Sequence, residues 1–171
     1  LCARLAAMSP LPNALPFWLS LCLPVVAVVG MVFGGWTVLL VAPCAWFLFT
    51  LLDALTGPNT ANLDPQTPEA QLTWHRAITL IWFPVQFALL LAMLWFVPRA
   101  THLGTAEAIG LFVGMGVISG TIGINYAHEL MHQKSRLERG LADLLLGTVL
   151  YAHFRSEHLR VHHIHVGTPR D

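Results

Sequence analysis

The sequence contains little charge. Only 11% of its residues are charged, whereas a soluble domain carries roughly 25%. No Asp, Glu, Lys or Arg occurs between Leu5 and Leu52. The nine Lys and Arg balance nine Asp and Glu, so no net positive charge attracts a phosphate backbone. These absences exclude an intrinsically disordered chain and a nucleic-acid-binding protein, and they point to a chain that lies in a lipid bilayer.

Cysteine is also scarce. Cys2, Cys22 and Cys44 form an odd set without CxxC spacing, so the sequence supports neither a disulfide framework nor a Cys-rich zinc site. We interpret all three as small buried hydrophobic residues.

The uncharged stretches of the sequence consist of long apolar runs. A membrane-spanning helix needs roughly 20 apolar residues to cross about 30 Å of hydrocarbon. The sequence predicts four such helices in an all-α integral membrane protein, with Gly34 and Gly35 forming the turn between the first two. The predicted spans are residues 15–34, 36–55, 77–97 and 104–127.

The N-terminal apolar run is too long for a signal peptide, whose apolar region covers about 7–15 residues. We therefore expect one membrane domain over residues 1–171. The chain starts at Leu1 and stops at Asp171 inside a polar motif, which leads us to expect a fragment truncated at both ends.

Basic residues predict the orientation. With a cytoplasmic N-terminus, eight of the nine Lys and Arg lie on the cytoplasmic side and only Arg99 lies outside, as the positive-inside rule requires. The cytoplasmic set is Arg4, Arg76, Lys134, Arg136, Arg139, Arg155, Arg160 and Arg170. Residues 53–76 then form a polar cytoplasmic loop.

Histidine is concentrated near the end of the chain. Seven of the nine histidines lie between His128 and His165. His75 and His102 lie outside this region, and we interpret them as interfacial or hydrogen-bonded residues. The cluster calls for a metal-binding explanation.

Two histidine boxes carry the pattern. The first is HELMH at 128–132, directly after the fourth span; if the helix continues, His128 and His132 share one face and one metal ion. The second is HLRVHH at 158–163, where His158 and His162 repeat this spacing. On an α-helix, His163 would be rotated by about 100° from His162. A short apolar or re-entrant helix over 141–154 is predicted to bring the boxes together.

Several kinds of site fit these boxes. HExxH alone is typical of zinc metalloproteases, with Glu129 as general base. Five imidazoles exceed what a hydrolytic zinc site uses and indicate two metal ions, although imidazole suits iron, copper and zinc alike. Solvated loops, a regulatory zinc clip or a metal transporter are the non-catalytic alternatives. The candidate hydrogen-bond partners of the ligand imidazoles are Asn125, Glu129, Asp143 and Glu157.

Three segments resemble one family. The sequences NYAHELMHQ (125–133), YAHFRSEHLRVHHIHVGTPRD (151–171) and LLDALTG (51–57) are similar to those of the integral-membrane alkane 1-monooxygenases, members of the histidine-box superfamily of membrane non-haem di-iron enzymes. The resemblance runs through nearly the whole chain but covers only the front half of such an enzyme. It implies that the iron ligands here are His128, His132, His158, His162 and His163. The remaining ligands are expected after Asp171, so the fragment alone is expected to be inactive, and His153 and His165 have no assigned role.

The resemblance also implies an activity and its partners. One oxygen atom of O₂ enters the terminal C–H bond of a medium-chain alkane to give a primary alcohol, and the other leaves as water. Electrons pass from NAD(P)H through rubredoxin reductase and rubredoxin. The expected location is the bacterial inner membrane, with the histidine boxes on the cytoplasmic side. A desaturase or an aromatic methyl hydroxylase of the same superfamily is the alternative.

The implied electron carrier would dock on the cytoplasmic face. Four arginines there have the charge to meet an acidic carrier, or they serve only to anchor the membrane surface. They are Arg136, Arg139, Arg155 and Arg160.

Overall fold

The computed structural model describes residues 10–57 and 72–170, and this part of the chain is helical without any strand. The α-helices are α1 (Pro10–Trp18), α2 (Cys22–Phe33), α3 (Val41–Pro43), α4 (Phe49–Thr56), α5 (Thr73–Phe96), α6 (Thr105–Ile118), α7 (Ile124–Met131), α8 (Arg136–Thr148), α9 (Phe154–Glu157) and α10 (His163–His165). Short 3₁₀ segments lie at Leu19–Leu21, Gly35–Leu39 and Val97–Arg99, and π-helical turns at Cys44–Leu48, Ser119–Gly123 and His158–His162.

Three continuous helical segments are long and apolar enough to cross a membrane: Ala14–Phe33, Thr73–Arg99 and Thr105–Met131. They coincide, within a few residues, with the predicted spans at 15–34, 77–97 and 104–127. The predicted span at 36–55 coincides with a shorter apolar helix, Val41–Thr56, so the fourth crossing stays a prediction. Cys2, Arg4, Asp171 and residues 58–71 of the predicted loop lie outside the described residues.

The predicted glycine turn is confirmed. Helix α2 ends at Phe33, and Gly34 and Gly35 have φ values of 62° and 58°. This left-handed region favours glycine because it has no Cβ. The carboxylate of Glu107 accepts hydrogen bonds from the backbone N–H groups of Gly35 and Gly104, which ties the turn to the start of α6.

Helix α8 corrects the predicted helix at 141–154. It begins at Arg136 and ends at Thr148, and the chain turns at Leu150 with φ of 58°. The apolar pattern did not reveal where this helix starts, because its first turn contains charged residues. Only one face of the helix is buried. That face consists of Glu138, Ala142, Leu145 and Leu146, which follow helical spacing and belong to an element packed on α5 and α7.

Polar contacts fasten α8 at both ends. Near its start, Glu138 is only 2% exposed and forms a bidentate ion pair with Arg76, with distances of 2.5 Å (Nε to Oε1) and 2.8 Å (Nη2 to Oε2). At its end, the side-chain amide of Gln86 donates to Thr148 Oγ1 over 3.0 Å. Gln86 is fully buried and accepts from Trp82 Nε1 at 2.8 Å. Gln86 thus belongs to a satisfied core network rather than to a transport pathway.

Candidate metal centre

The first box lies at the end of α7, which extends the third long span to Met131, and His132 is the residue that caps this helix. As predicted, the two histidines four residues apart share a face: Nε2 of His128 and Nε2 of His132 are 3.4 Å apart. Tyr126 fixes this helix, because its hydroxyl donates to the carbonyl of Phe17 over 2.9 Å and lies 3.0 Å from Ser20 Oγ. These contacts hold the helix that carries the first box against the N-terminal helices.

The second box has a different geometry from the predicted one. His158–His162 is a π-helical turn, in which backbone hydrogen bonds join residues five apart, and His163 lies on the same side as His158. Nε2 of His158 is 3.0 Å from Nε2 of His163, whereas the ring of His162 stacks beside that of His158 with centroids 5.2 Å apart. The rings of His158 and His162 thus lie side by side, and what the α-helical spacing did not predict is the contact between His158 and His163.

The two boxes meet. Nε2 of His158 lies 2.9 Å from Nε2 of His128, although the two residues are 30 positions apart in the sequence. The ligand atoms of His128, His132 and His158 all lie within 4.8 Å of one another. The ring of His163 joins them, with its centroid 5.0 Å from that of His132. Several imidazole nitrogens directed at one point are a donor set that fits a divalent transition metal.

The electrostatics of the cluster favour the ligand form of histidine. Desolvation lowers the pKa of His132, and the nearby imidazoles of His128 and His163 lower it further. Desolvation also lowers the pKa of His158, helped by His128 and His163. A lower pKa keeps the ring neutral to lower pH, and only a neutral imidazole binds a metal ion.

The predicted hydrogen-bond partners take different positions. Oε1 of Glu129 lies 3.4 Å from Nδ1 of His128, where it can accept the proton on the far side of that ring. Asp143 instead binds Arg155 through two contacts of 2.6 and 2.8 Å. Glu157 faces His153 at 3.7 Å, and Asn125 donates to the carbonyl of Thr121.

Sequence reasoning missed the Asp143 and Arg155 pair. Two charges 12 residues apart carry no periodic signal, and the turn at Leu150 that brings them together is not marked by glycine. The pair joins α8 to α9 immediately before the second box. Outside the cluster, His102 is hydrogen-bonded as predicted, through Nε2 to the carbonyl of Met31 at 3.0 Å.

Comparison with known proteins gives matches over the boxes and over most of the chain. Residues 104–171 match the family model for fatty acid desaturase. The chain is 33% identical over 166 residues to alkane 1-monooxygenase 2 of Pseudomonas aeruginosa, covering 95% of this chain and 38% of that protein. It is 38% identical over 124 residues to alkane 1-monooxygenase 1 of the same organism, covering 71% of this chain and 32% of that protein. It is 30% identical over 163 residues to alkane 1-monooxygenase of Pseudomonas putida, covering 91% of this chain and 40% of that protein.

The chain is a relative of the alkane 1-monooxygenases. It spans about two fifths of the length of two of these relatives, 38% of one and 40% of the other. Both histidine boxes fall inside the region that also matches the desaturase model. The resemblance predicted from the sequence is confirmed at this level.

Proposed function

We propose that the chain is part of a membrane monooxygenase that converts the terminal C–H of an alkane into a primary alcohol at a non-haem di-iron centre. One observation carries the proposal: imidazoles from two separated boxes converge on one point in a relative of the alkane 1-monooxygenases. Two histidines of the first box and three of the second would hold the iron. They are His128, His132, His158, His162 and His163.

The role of the protein in this reaction is to hold and orient the ligands. Bound iron would supply the redox-active oxidant that C–H cleavage needs and that zinc lacks. Glu129, beside Nδ1 of His128, would hold the ring proton on that nitrogen and leave Nε2 for the metal. The π-helical turn would direct both His158 and His163 into the same space.

The substrate and the electron carrier would approach from different sides. A medium-chain alkane partitions into hydrocarbon by about 0.8 kcal/mol per CH₂, so we expect it to arrive through the bilayer. Electrons would come from NAD(P)H through rubredoxin reductase and rubredoxin at the cytoplasmic face. Arg155 is engaged by Asp143, and Arg139 donates to the backbone carbonyls of Gln133 and Lys134, which leaves Arg136 and Arg160 as the better candidates for docking.

Contacts within the bundle support a fourth crossing. Helix α2 ends near His102 and Glu107, since His102 bonds the carbonyl of Met31 and Glu107 bonds Gly35. Helix α5 starts at the other end of the bundle, where Trp18 Nε1 donates to the carbonyl of Trp74. These two positions support a further crossing of the bundle between Gly35 and Thr73.

The length of the helix after Gly35 fits such a crossing. Its 16 residues, Val41–Thr56, rise about 24 Å, and the five residues of Gly35–Leu39 add roughly 10 Å of 3₁₀ helix. Together they exceed the hydrocarbon thickness of about 30 Å. We propose four spans in the bacterial inner membrane, with the histidine boxes on the cytoplasmic side.

The match to the desaturase model favours a second candidate, desaturation of a fatty acyl chain. Both reactions cleave an unactivated C–H bond. Hydroxylation then forms a C–O bond at that carbon, whereas desaturation cleaves a second C–H bond at the adjacent carbon and forms a C=C bond. Feeding octane to cells that express the full-length protein tests the choice: 1-octanol is expected. Unsaturated acyl chains without any octanol would favour desaturation instead.

Metal analysis of the purified full-length protein tests the centre itself. About two irons per chain are expected, and a single zinc would contradict the proposal in favour of an HExxH protease. We expect His158→Ala to lose the bound iron, because His158 contacts both His128 and His163. His153→Ala, which removes an exposed histidine paired with Glu157, is the matched control and should keep it.

A further inference from the structure

Helix α8 runs alongside the long apolar span that begins with α5. Near its start Glu138 binds Arg76, and at its end Thr148 accepts a hydrogen bond from Gln86. Arg76 and Gln86 are ten residues apart, a rise of about 15 Å along α5, and α8 covers the same distance. No charged residue occurs between Arg76 and Arg99, so Arg76 marks the edge of the span. Thr148 therefore lies about halfway across roughly 30 Å of hydrocarbon.

The chain turns back after Thr148 and forms a hairpin, with α8 as one limb and residues 156–163 as the other. The two limbs expose different kinds of side chain. After Arg136, the exposed residues of α8 are Leu137, Leu144 and Gly147, and Leu150 follows in the turn. The exposed residues of the other limb are mostly polar: Ser156, Glu157, Arg160, Val161, His162 and His163. Since polar groups are costly in hydrocarbon, the first limb fits a lipid surface and the second fits a water-filled opening at the histidine boxes.

The turn between the limbs has the backbone hydrogen bonds that a bilayer requires. The N–H of Tyr151 donates to the carbonyl of Leu146 over 2.9 Å, and the N–H of Leu150 donates to that of Gly147 over 3.1 Å. The N–H of Val149 also donates to Leu146, over 3.2 Å. An unpaired backbone group is costly in hydrocarbon, and all three N–H groups of this turn are paired.

Leu150 adds an independent indication. Its φ of 58° lies in the left-handed region, where the residue after a helix is usually glycine and a Cβ causes strain. Its side chain is 92% exposed. In water, an exposed leucine gains nothing that would offset this strain. In hydrocarbon, the apolar side chain is favoured, which gives a reason for leucine at this position.

We infer that α8 and the turn at 149–151 are inserted into the bilayer as a re-entrant arm whose outer face, formed by Leu144 and Leu150, contacts lipid acyl chains. Asp143 binds Arg155 on the returning chain through contacts of 2.6 and 2.8 Å. Charged residues at membrane depth are usually paired in this way. The inference rests on α5 as a membrane span and not on the reaction that we propose.

Site-directed spin labelling of the full-length protein in lipid nanodiscs tests the insertion. Single cysteines replace Leu137, Leu144, Leu150 or Arg160 in a background without other cysteines and carry a nitroxide. Power saturation then compares collisions with oxygen, which concentrates in hydrocarbon, and with a water-soluble nickel chelate. The label of Leu144→Cys should lie about 10 Å deeper than that of Leu137→Cys, and Leu150→Cys should strongly favour oxygen.

Arg160→Cys, on the other limb, is the control and should favour the chelate. Preference for the chelate at Leu150→Cys would place the turn in water. Exclusion of both reagents there would place it beneath another part of the protein. Either result would overturn the inference.

The variant Leu150→Asn gives an answer without any label. Asparagine adopts a positive φ more readily than leucine does, so this change should raise the melting temperature if the side chain lies in water. In hydrocarbon the polar amide should lower it by a few degrees, which is the result that we expect in nanodiscs. Leu137→Asn, at the level of Arg76, should lower it less.

An increase in melting temperature for Leu150→Asn would overturn the inference even if the labelled variants failed to fold. Neither measurement needs metal or turnover. Octane hydroxylation therefore tests the proposed function separately, and either conclusion can fail without the other.

Discussion

The position of Glu129 determines which nitrogen of His128 faces the other histidines. Its carboxylate oxygen lies 3.4 Å from Nδ1, while Nε2 of the same ring lies 2.9 Å from Nε2 of His158. A carboxylate on one side of an imidazole fixes the tautomer and raises the basicity of the opposite nitrogen. Glu157 makes a similar contact with His153 at 3.7 Å, outside the cluster.

We expect Glu129→Gln to weaken metal binding by about 10- to 100-fold, because glutamine keeps the size but loses the charge that holds the ring proton. Competition with a chelator, monitored on the purified full-length protein, measures the change. Glu157→Gln is the matched control and should bind metal like the wild type. Equal affinities for the two variants would show that Glu129 does not orient His128.

The residues of the site were more predictable than their geometry. Spacing in the sequence identified both boxes, and the continuing helix at His128 and His132 follows from an apolar span without proline. The π-helical turn at His158–His162 could not be predicted in this way, because no particular residue type marks such a turn in the sequence. The contact between His158 and His163 was therefore beyond reach of a pattern based on α-helical spacing.

At the scale of elements, Gly123 sets how closely α7 approaches α5. A Cβ at Gly123 would overlap Oε1 of Gln86, which is buried and bonded to Trp82 and Thr148. Gly123 ends a π-helical turn of the long span. The missing side chain lets the polar network of Gln86 lie against the helix that carries the first box.

Gly123→Ala is expected to destabilise the protein by about 1–3 kcal/mol, as overpacking of a core does. Thermal unfolding in detergent measures the effect. Gly120→Ala offers a control in the same turn, since a Cβ there meets nothing within 4 Å, and it should unfold at the wild-type temperature. The same loss in both variants would mean that helix geometry, and not Gln86, determines the requirement for glycine.

The pair of Asp143 and Arg155 links α8 to the second box. Both side chains are partly exposed, at 39% and 35%, so the pair should add at most about 1 kcal/mol to global stability. Its bidentate geometry, with contacts of 2.6 and 2.8 Å, instead restrains the orientation of α9. Arg155 precedes His158 by three residues, which is less than one helical turn.

Asp143→Asn should therefore lower metal affinity by about tenfold while it changes the melting temperature by only a few degrees. Amide hydrogen exchange should become faster in residues 151–165, where the restraint is lost. Exchange of the two charges, Asp143→Arg with Arg155→Asp, should restore part of the affinity. A fall in melting temperature without any change in metal affinity would contradict a positioning role.

For the molecule as a whole, apolar length was the most reliable signal, and short amphipathic elements were the least. Three predicted spans agree with long apolar helices to within a few residues, because length and apolar composition are read directly from the sequence. Helix α8 was misplaced because its first turn contains Arg136 and Arg139, whose charge hides the buried stripe that starts at Glu138. Tertiary contacts with Arg76 and Gln86, which sequence patterns do not reveal, fix this helix.

The arrangement of helix ends predicts the sidedness of the molecule. Thr101 lies in the turn after α5, at the same end as Gly34 and Gly35, whereas Ser156 lies between the boxes at the end that contains Arg76; both are exposed. Of the eight basic residues that the structure describes, seven lie towards the second end, so the positive-inside rule predicts that this end faces the cytoplasm. In a background in which Cys2, Cys22 and Cys44 are alanine, Thr101→Cys should react with a membrane-impermeant maleimide in intact spheroplasts. Ser156→Cys should react only in inverted vesicles. The four-span topology places the two positions on opposite sides of the membrane, so labelling of both from one side would exclude it.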